Sequence, residues 1–236
     1  MRYLMHVITI VLMSVLLSCA TTEIPRKVIF DNYKNKERIV SRTLGVIIDN
    51  SNIFITNESS FFDDFGEGNP NEMYTNFLQE NFPKAARESA TFRVTKVFPL
   101  NFEFEGEVRK LQINEGWVME MKLPRDGSIV KTDSLHQDYM LFVRNFKTGE
   151  GSNTTLPLFT IGQTMNVTGY YSYRYLITEF EFALWNNQKG ELVTYGVAKG
   201  AGVVSFNMNQ KTWLNSLIGA MRDVVTKTPF ERPIHL

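Results

Sequence analysis

The chain has 236 residues, 43% of them hydrophobic and 13% aromatic with 18 Phe, and its 25 basic side chains balance 25 acidic ones. That composition excludes a disordered chain, and the interspersed charge lacks the basic stripe of a nucleic-acid binder. One cysteine in the whole chain excludes a disulfide-stapled fold, so an apolar core must hold the body together.

The N-terminus carries an address. Arg2 precedes an apolar run from Tyr3 to Leu17 that contains no acidic residue, and the small residue Ser18 follows it. This is the pattern of an export signal. At about fifteen residues, interrupted by Thr9 and Ser14, the run falls short of the roughly twenty that a membrane-crossing helix needs. It closes on Leu16-Leu17-Ser18-Cys19, which resembles the lipobox of bacterial lipoproteins, although Leu17 stands where a smaller or β-branched residue is commoner. The resemblance implies a diacylglycerol thioether on Cys19, cleavage before it, and acylation of the new amine. Two or three fatty chains anchor stably where one does not, because each buried CH₂ is worth about 0.8 kcal/mol. It also implies attachment to the cell membrane or the outer membrane. Ala20 follows the cysteine where an Asp would signal inner-membrane retention, which favours the outer membrane.

The division expected from the sequence is a signal peptide over 1–18, a lipidated tether over 19–38, one α+β domain over 39–229 and a tail over 230–236. Loss of the signal takes Arg2 with it and leaves 24 basic against 25 acidic side chains, a net charge of −1. In the tether, Arg26, Lys27, Lys34, Lys36 and Arg38 read as solvated charges near anionic headgroups, and Val28-Ile29-Phe30 as a possible short strand. Leu44 to Ile48 and Ile53 to Ile55 are β-branched runs separated by the turn cluster Asp49-Asn50-Ser51-Asn52. Asp63, Asp64, Gly66, Gly68, Asn69 and Pro70 read as an acidic loop, without the alternating acids and closing Glu of a calcium loop. A helix is expected from about Asn71 to Asn81, with Met73, Phe77 and Leu78 on one face and Phe82-Pro83 bending or ending it.

From Phe92 to Leu123 the period becomes two. Phe98, Leu100, Phe102 and Phe104 alternate with polar residues, as do Trp117, Met119, Met121 and Leu123. Such alternation predicts a mainly antiparallel sheet with one wet face, and it makes the intervening glutamates a solvated face before it makes them catalytic. Pro124 to Gly127 reads as a turn, Tyr139, Leu141 and Val143 open a strand, and Lys147 to Thr155 reads as a polar loop. Phe180, Phe182 and Leu184 predict one arm of a hairpin that turns at Asn186 to Gly190 and returns from Leu192 to Val197. Gly196, Gly200 and Gly202 have the wrong order for a phosphate-binding turn, so a bulge or a close backbone approach explains them better. Trp213, Leu214, Leu217, Ile218, Met221, Val224 and Val225 form the apolar face of a helix from about Asn209 to Thr226 that packs on the sheet.

No chemistry-bearing motif emerges. After cleavage only His136 and His235 remain as histidines, no Cys/His pair exists, and no GxSxG elbow is present, so no catalytic, metal or cofactor residues are expected. The element order also loosely resembles small α+β lipoproteins of the cell envelope that activate wall synthases or assist secretion. From this the chain is expected to be a lipid-anchored envelope lipoprotein, a non-enzymatic accessory or binding module for an envelope protein partner. The alternatives are an envelope hydrolase using carboxylates that only the fold would bring together, and a surface-exposed adhesin.

Overall fold

The apolar residues of the alternating segments end up on both faces of one central sheet. In the computed structural model, which describes residues 26–34, 36–56, 58–98, 102–131, 136–155, 171–204 and 208–233, nine strands and three α-helices are formed. The strands are β1 (Lys27–Ile29), β2 (Thr43–Ile48), β3 (Ile53–Ile55), β4 (Arg93–Phe98), β5 (Glu107–Asn114), β6 (Trp117–Leu123), β7 (Tyr139–Thr155), β8 (Tyr171–Asn186) and β9 (Glu191–Val204). The helices are α1 (Glu58–Phe65), α2 (Pro70–Ser89) and α3 (Gln210–Val225). Seven strands make a mixed sheet in the order β1-β9-β8-β7-β2-β4, with β3 joined to β7 beyond the end of β2, while β5 and β6 form a separate hairpin.

The α+β class stands, with its C-terminal helix on the sheet. Pairing of β1, β9, β8 and β7 is antiparallel, whereas β2 runs parallel to both β4 and β7, and β3 parallel to β7. Three layers result. On one face Leu44, Val46, Leu141, Val143, Phe180 and Phe182 pack with Phe61, Tyr74, Phe82, Trp213, Leu217 and Met221 from the helices. On the other, Ile47, Met140, Phe142, Trp185 and Tyr195 pack under the β5–β6 hairpin through Leu111, Met119, Met121 and Leu123. The central strands are thus covered on both sides, which is why β2 reads as a continuous apolar run instead of an alternating one.

Helix α2 begins at a cap that the sequence displays openly. Asn69 Oδ1 accepts from the amides of Asn71 (3.0 Å) and Glu72 (3.3 Å), and Pro70 takes the first position, where a missing N–H costs nothing. The helix continues through Pro83 to Ser89 instead of ending there. An interior proline costs about 3 kcal/mol. Burial of Phe82, Ala85 and Ala86 around it supplies the offset.

The remaining departures share a cause. Lys147 to Thr155, expected as a loop, is the second half of β7 and pairs residue by residue with β8. Its polar side chains gave no apolar signal, but a ladder is made by the backbone. Conversely the alternation at Phe102 and Phe104 belongs to no strand: β4 ends at Phe98, and the two rings pack individually against the hairpin core, Phe104 on Phe142 at 5.2 Å. Leu100 lies outside the described residues.

The body reaches beyond 39–229 on both sides. Tyr33 is buried, with its hydroxyl donating to Glu191 at 2.7 Å and accepting from Asn186 at 2.6 Å, and Phe230 is buried against Phe92 at 4.3 Å. Lys27 is no solvated tether charge. Its ammonium donates to the carbonyls of Asp223 and Thr226, satisfying the last turn of α3, which attracts a cation through its dipole. Burial pushes the Lys27 pKa down to about 8, against the opposing pull of the Asp223 and Glu231 carboxylates.

A pH dependence follows from Lys27. The folded chain gives up this proton near pH 8, whereas the unfolded chain holds it to 10.5, so between those values the unfolded state binds more protons and stability from this group rises with pH. Burial raises the phenols of Tyr33, Tyr74, Tyr139 and Tyr195, which makes stability fall above about pH 10. Comparison with Lys27→Met cancels the tyrosines. Wild type is expected to gain on that variant by on the order of 2–3 kcal/mol from pH 8 to 10.5, read from urea midpoints; a flat difference would refute a depressed Lys27.

Candidate functional site

The cover given to the sheet by the β5–β6 hairpin stops at its turn, and a cleft opens there. Its position is set by a bulge in β7, where Arg144 opposes Glu181 and Lys147 opposes Glu179, leaving one extra residue on β7. Asn145 takes a left-handed conformation at that point (φ 52°), a geometry asparagine tolerates better than most residues. The bulge brings neighbouring side chains to one carboxylate. Arg144 Nε donates to Glu181 Oε2 at 2.9 Å and Asn145 Nδ2 donates to the same oxygen at 2.8 Å. From the turn before β3, Asn52 Nδ2 donates to Asn145 Oδ1 at 3.0 Å.

This network is firmer than a surface ion pair. Only 17% of the Glu181 side chain and 28% of Arg144 are exposed, so screening by solvent is reduced and two donors share the charge. Both bonds fall on Oε2; Oε1 takes neither. Around the network the cleft measures about 290 Å³ and is walled by Phe54, 61% exposed, and by Trp117 at the hairpin turn, with Lys147 and Glu179 on its polar side. Lys147 and Lys199 flank Glu179 in the ladder, an alternation of charge that favours the pairing.

Size limits the occupant. Pockets for drug-sized ligands and cofactors run from about 300 to 1,000 Å³, so this cleft accepts a group the size of one side chain or one sugar ring. An exposed Phe54 and a half-buried Trp117 beside a few fixed polar groups suit such an anchor. The two glutamates do not make an acid/base pair. Glu179 and Glu181 are two apart on one strand and stand side by side on one wall, whereas hydrolysis by two carboxylates needs them on opposite sides of the scissile bond.

The residues singled out in the sequence lie elsewhere. Cys19 lies outside the described residues. Asp63 and Asp64 belong to the last turns of α1 rather than to a loop, and Asp64 Oδ2 accepts from the Trp213 indole at 2.7 Å. His136 is exposed, and His235 is outside the described residues. Among the described residues, no three His, Cys, Asp or Glu side chains gather where they could hold a metal ion. Gly200 and Gly202 are points of close backbone approach by α3, and Gly196 (φ 153°) lies against the backbone of Arg26 and Lys27. The cleft itself left no local trace in the sequence: its walls come in ones, twos and threes from β3, β6, β7, β8 and β9, and only Asn145 at the bulge and exposed Phe54 depart from an ordinary strand pattern.

No family model, curated protein or solved structure matches the chain. What defines it is its own architecture, a three-layer α+β domain with a small aromatic-walled cleft at the rim of one face.

Proposed function

We propose that the chain is a lipid-anchored lipoprotein of the bacterial cell envelope and serves there as a non-enzymatic accessory module that binds an envelope protein. The observation that carries the binding half is the cleft: a fixed Asn52–Asn145–Glu181–Arg144 network beside two aromatic walls, sized for one anchoring side chain of a partner. Anchors of that kind dominate interface energies because they are rigid and fully desolvated on docking. The lipid half rests on Leu16-Leu17-Ser18-Cys19. Among the described residues no helix is long and apolar enough to cross a membrane. From Cys19 to the start of β1 at Lys27 the chain spans at most about 28 Å, at 3.5 Å per residue, which would keep the body close to the bilayer surface.

Two measurements test the two halves separately. Intact mass of the native protein is expected to show a chain beginning at residue 19 with added acyl mass. Cys19→Ser is expected to abolish both that mass and membrane association, and a native chain starting at residue 1 without lipid overturns the anchor. For the partner, crosslinking in intact cells followed by purification is expected to recover one stoichiometric envelope protein. Trp117→Ala is expected to reduce that recovery at least tenfold, since loss of an interface anchor costs 2 kcal/mol or more. Undiminished recovery from the Trp117 variant removes the cleft from the proposal.

A further inference from the structure

A cavity larger than the cleft lies away from it, at the end of the sheet where β2 and β4 begin. It measures about 570 Å³ and is lined by Arg87 from the last turn of α2, Arg93 at the start of β4 and Arg232 after the C-terminal bridge, with Pro83, Phe92 and Ser41 among the other walls. No acidic residue lines it. Five other arginines, Arg42, Arg109, Arg125, Arg144 and Arg174, each sit within 4.0 Å of a carboxylate, whereas Arg26, Arg38 and Arg222 stand singly, away from the cavity, without an ion pair among the described residues. Arg87, Arg93 and Arg232 have no such partner among the described residues. The acids nearest in sequence do not serve them, because Glu88 stays outside the lining and Glu231 accepts from the Lys227 amide at 2.8 Å.

Three like charges on one cavity repel, and what sets these three apart is that they share a single concavity with no carboxylate among its walls. Guanidinium groups bind phosphate and carboxylate through paired N–H donors, and several around one concavity favour the more highly charged phosphate. The volume is far larger than a phosphate alone and leaves room for the group that carries it. The backbone around the cavity is fixed, with Thr91 Oγ1 donating to the Ile39 carbonyl at 2.6 Å and the Arg232 amide donating to the Ser89 carbonyl at 3.2 Å. The site is therefore held in place before any ligand arrives.

We infer that the cavity formed by Arg87, Arg93 and Arg232 is a binding site for a phosphate group carried on a small polar body, either a free phosphorylated molecule or the headgroup of an anionic lipid. The proposal is independent of the aromatic-walled cleft and of the anchor at Cys19. Its test uses the full chain in neutral detergent micelles, titrated calorimetrically in three arms: inorganic phosphate, glycerol 3-phosphate, and phosphatidylglycerol doped into the micelles. Saturable binding is expected in at least one arm, stronger for glycerol 3-phosphate than for inorganic phosphate if the ligand is free, and confined to the doped micelles if it is a lipid. Arg87→Gln, Arg93→Gln and Arg232→Gln are each expected to weaken it about tenfold or more, as loss of a charge-assisted pair does. All three side chains are exposed, so these variants keep the fold, and Arg222→Gln, outside the cavity, serves as the unchanged control. Absence of saturable binding in all three arms, or equal binding by the triple glutamine variant, overturns the site.

Discussion

Gly200→Ala is expected to destabilise the fold by about 3 kcal/mol or more. Helix α3 lies directly on the backbone of β9. A Cβ built at Gly200 falls 2.5 Å from the carbonyl carbon of Gly219 and closer still to the Ser216 carbonyl oxygen and the Ala220 nitrogen. These are backbone atoms of a helix, so no rotamer change relieves the clash, and helix and sheet must separate instead. Separation loosens the whole buried stripe of α3, which includes Trp213, Leu217, Ala220, Met221, Val224 and Val225. Gly116→Ala makes the matching control, since the nearest atom to its Cβ is Asn114 Oδ1 at 4.0 Å and the change is expected within about 0.5 kcal/mol. With urea slopes of about 1–3 kcal/mol/M, a 3 kcal/mol loss moves the midpoint by 1 M or more. Equal midpoints for the two alanine variants would refute the close approach.

The same glycines show what a sequence discloses and what it withholds. Their order ruled out a phosphate turn, and their place in a strand pointed to close packing, but the partner, a helix beginning at Gln210, was not legible. Elements whose signals are local were readable: a helix from about Asn71, which begins one residue earlier at Pro70, the β8–β9 hairpin, and a last helix from about Asn209, whose side chain proves to be its cap and accepts from the Thr212 amide at 3.2 Å. Pairing over long separations was not. Periodicity assigns faces, and nothing in Leu44 to Ile48 specifies that Tyr139 to Val143 will lie beside it in parallel. The cleft is the extreme case, because its polar network joins residues from positions 52, 144, 145 and 181, each an ordinary polar residue until the bulge in β7 aligns them.

Trp213→Ala is expected to cost about 4 kcal/mol and to release α1 from the body before the rest unfolds. An eight-residue helix rich in Ser and Asp does not stand alone, which is why Asp63 and Asp64 looked like loop residues. What holds α1 is aromatic packing at helical spacing. Phe61 and Phe65 stack at 4.5 Å, and each meets the Trp213 ring edge-on at 5.4 Å, while Asp64 accepts the indole N–H at 2.7 Å. The tryptophan is therefore both wedge and donor, and two variants separate these roles. Trp213→Phe keeps most of the packing and leaves Asp64 without its donor; Asp64→Ala keeps the ring and removes the acceptor. Each is expected to cost about 1.5–2.5 kcal/mol, and the double variant less than their sum by about 1 kcal/mol, the coupling expected of a hydrogen bond to a charged acceptor. Hydrogen exchange supplies the second reading: in Trp213→Ala the amides of α1 are expected to lose protection by orders of magnitude while those of β8 keep theirs, because local stability follows local packing. Strict additivity in the cycle would refute the bond between Asp64 and Trp213, and α1 protection unchanged in Trp213→Ala would refute the tryptophan as its anchor.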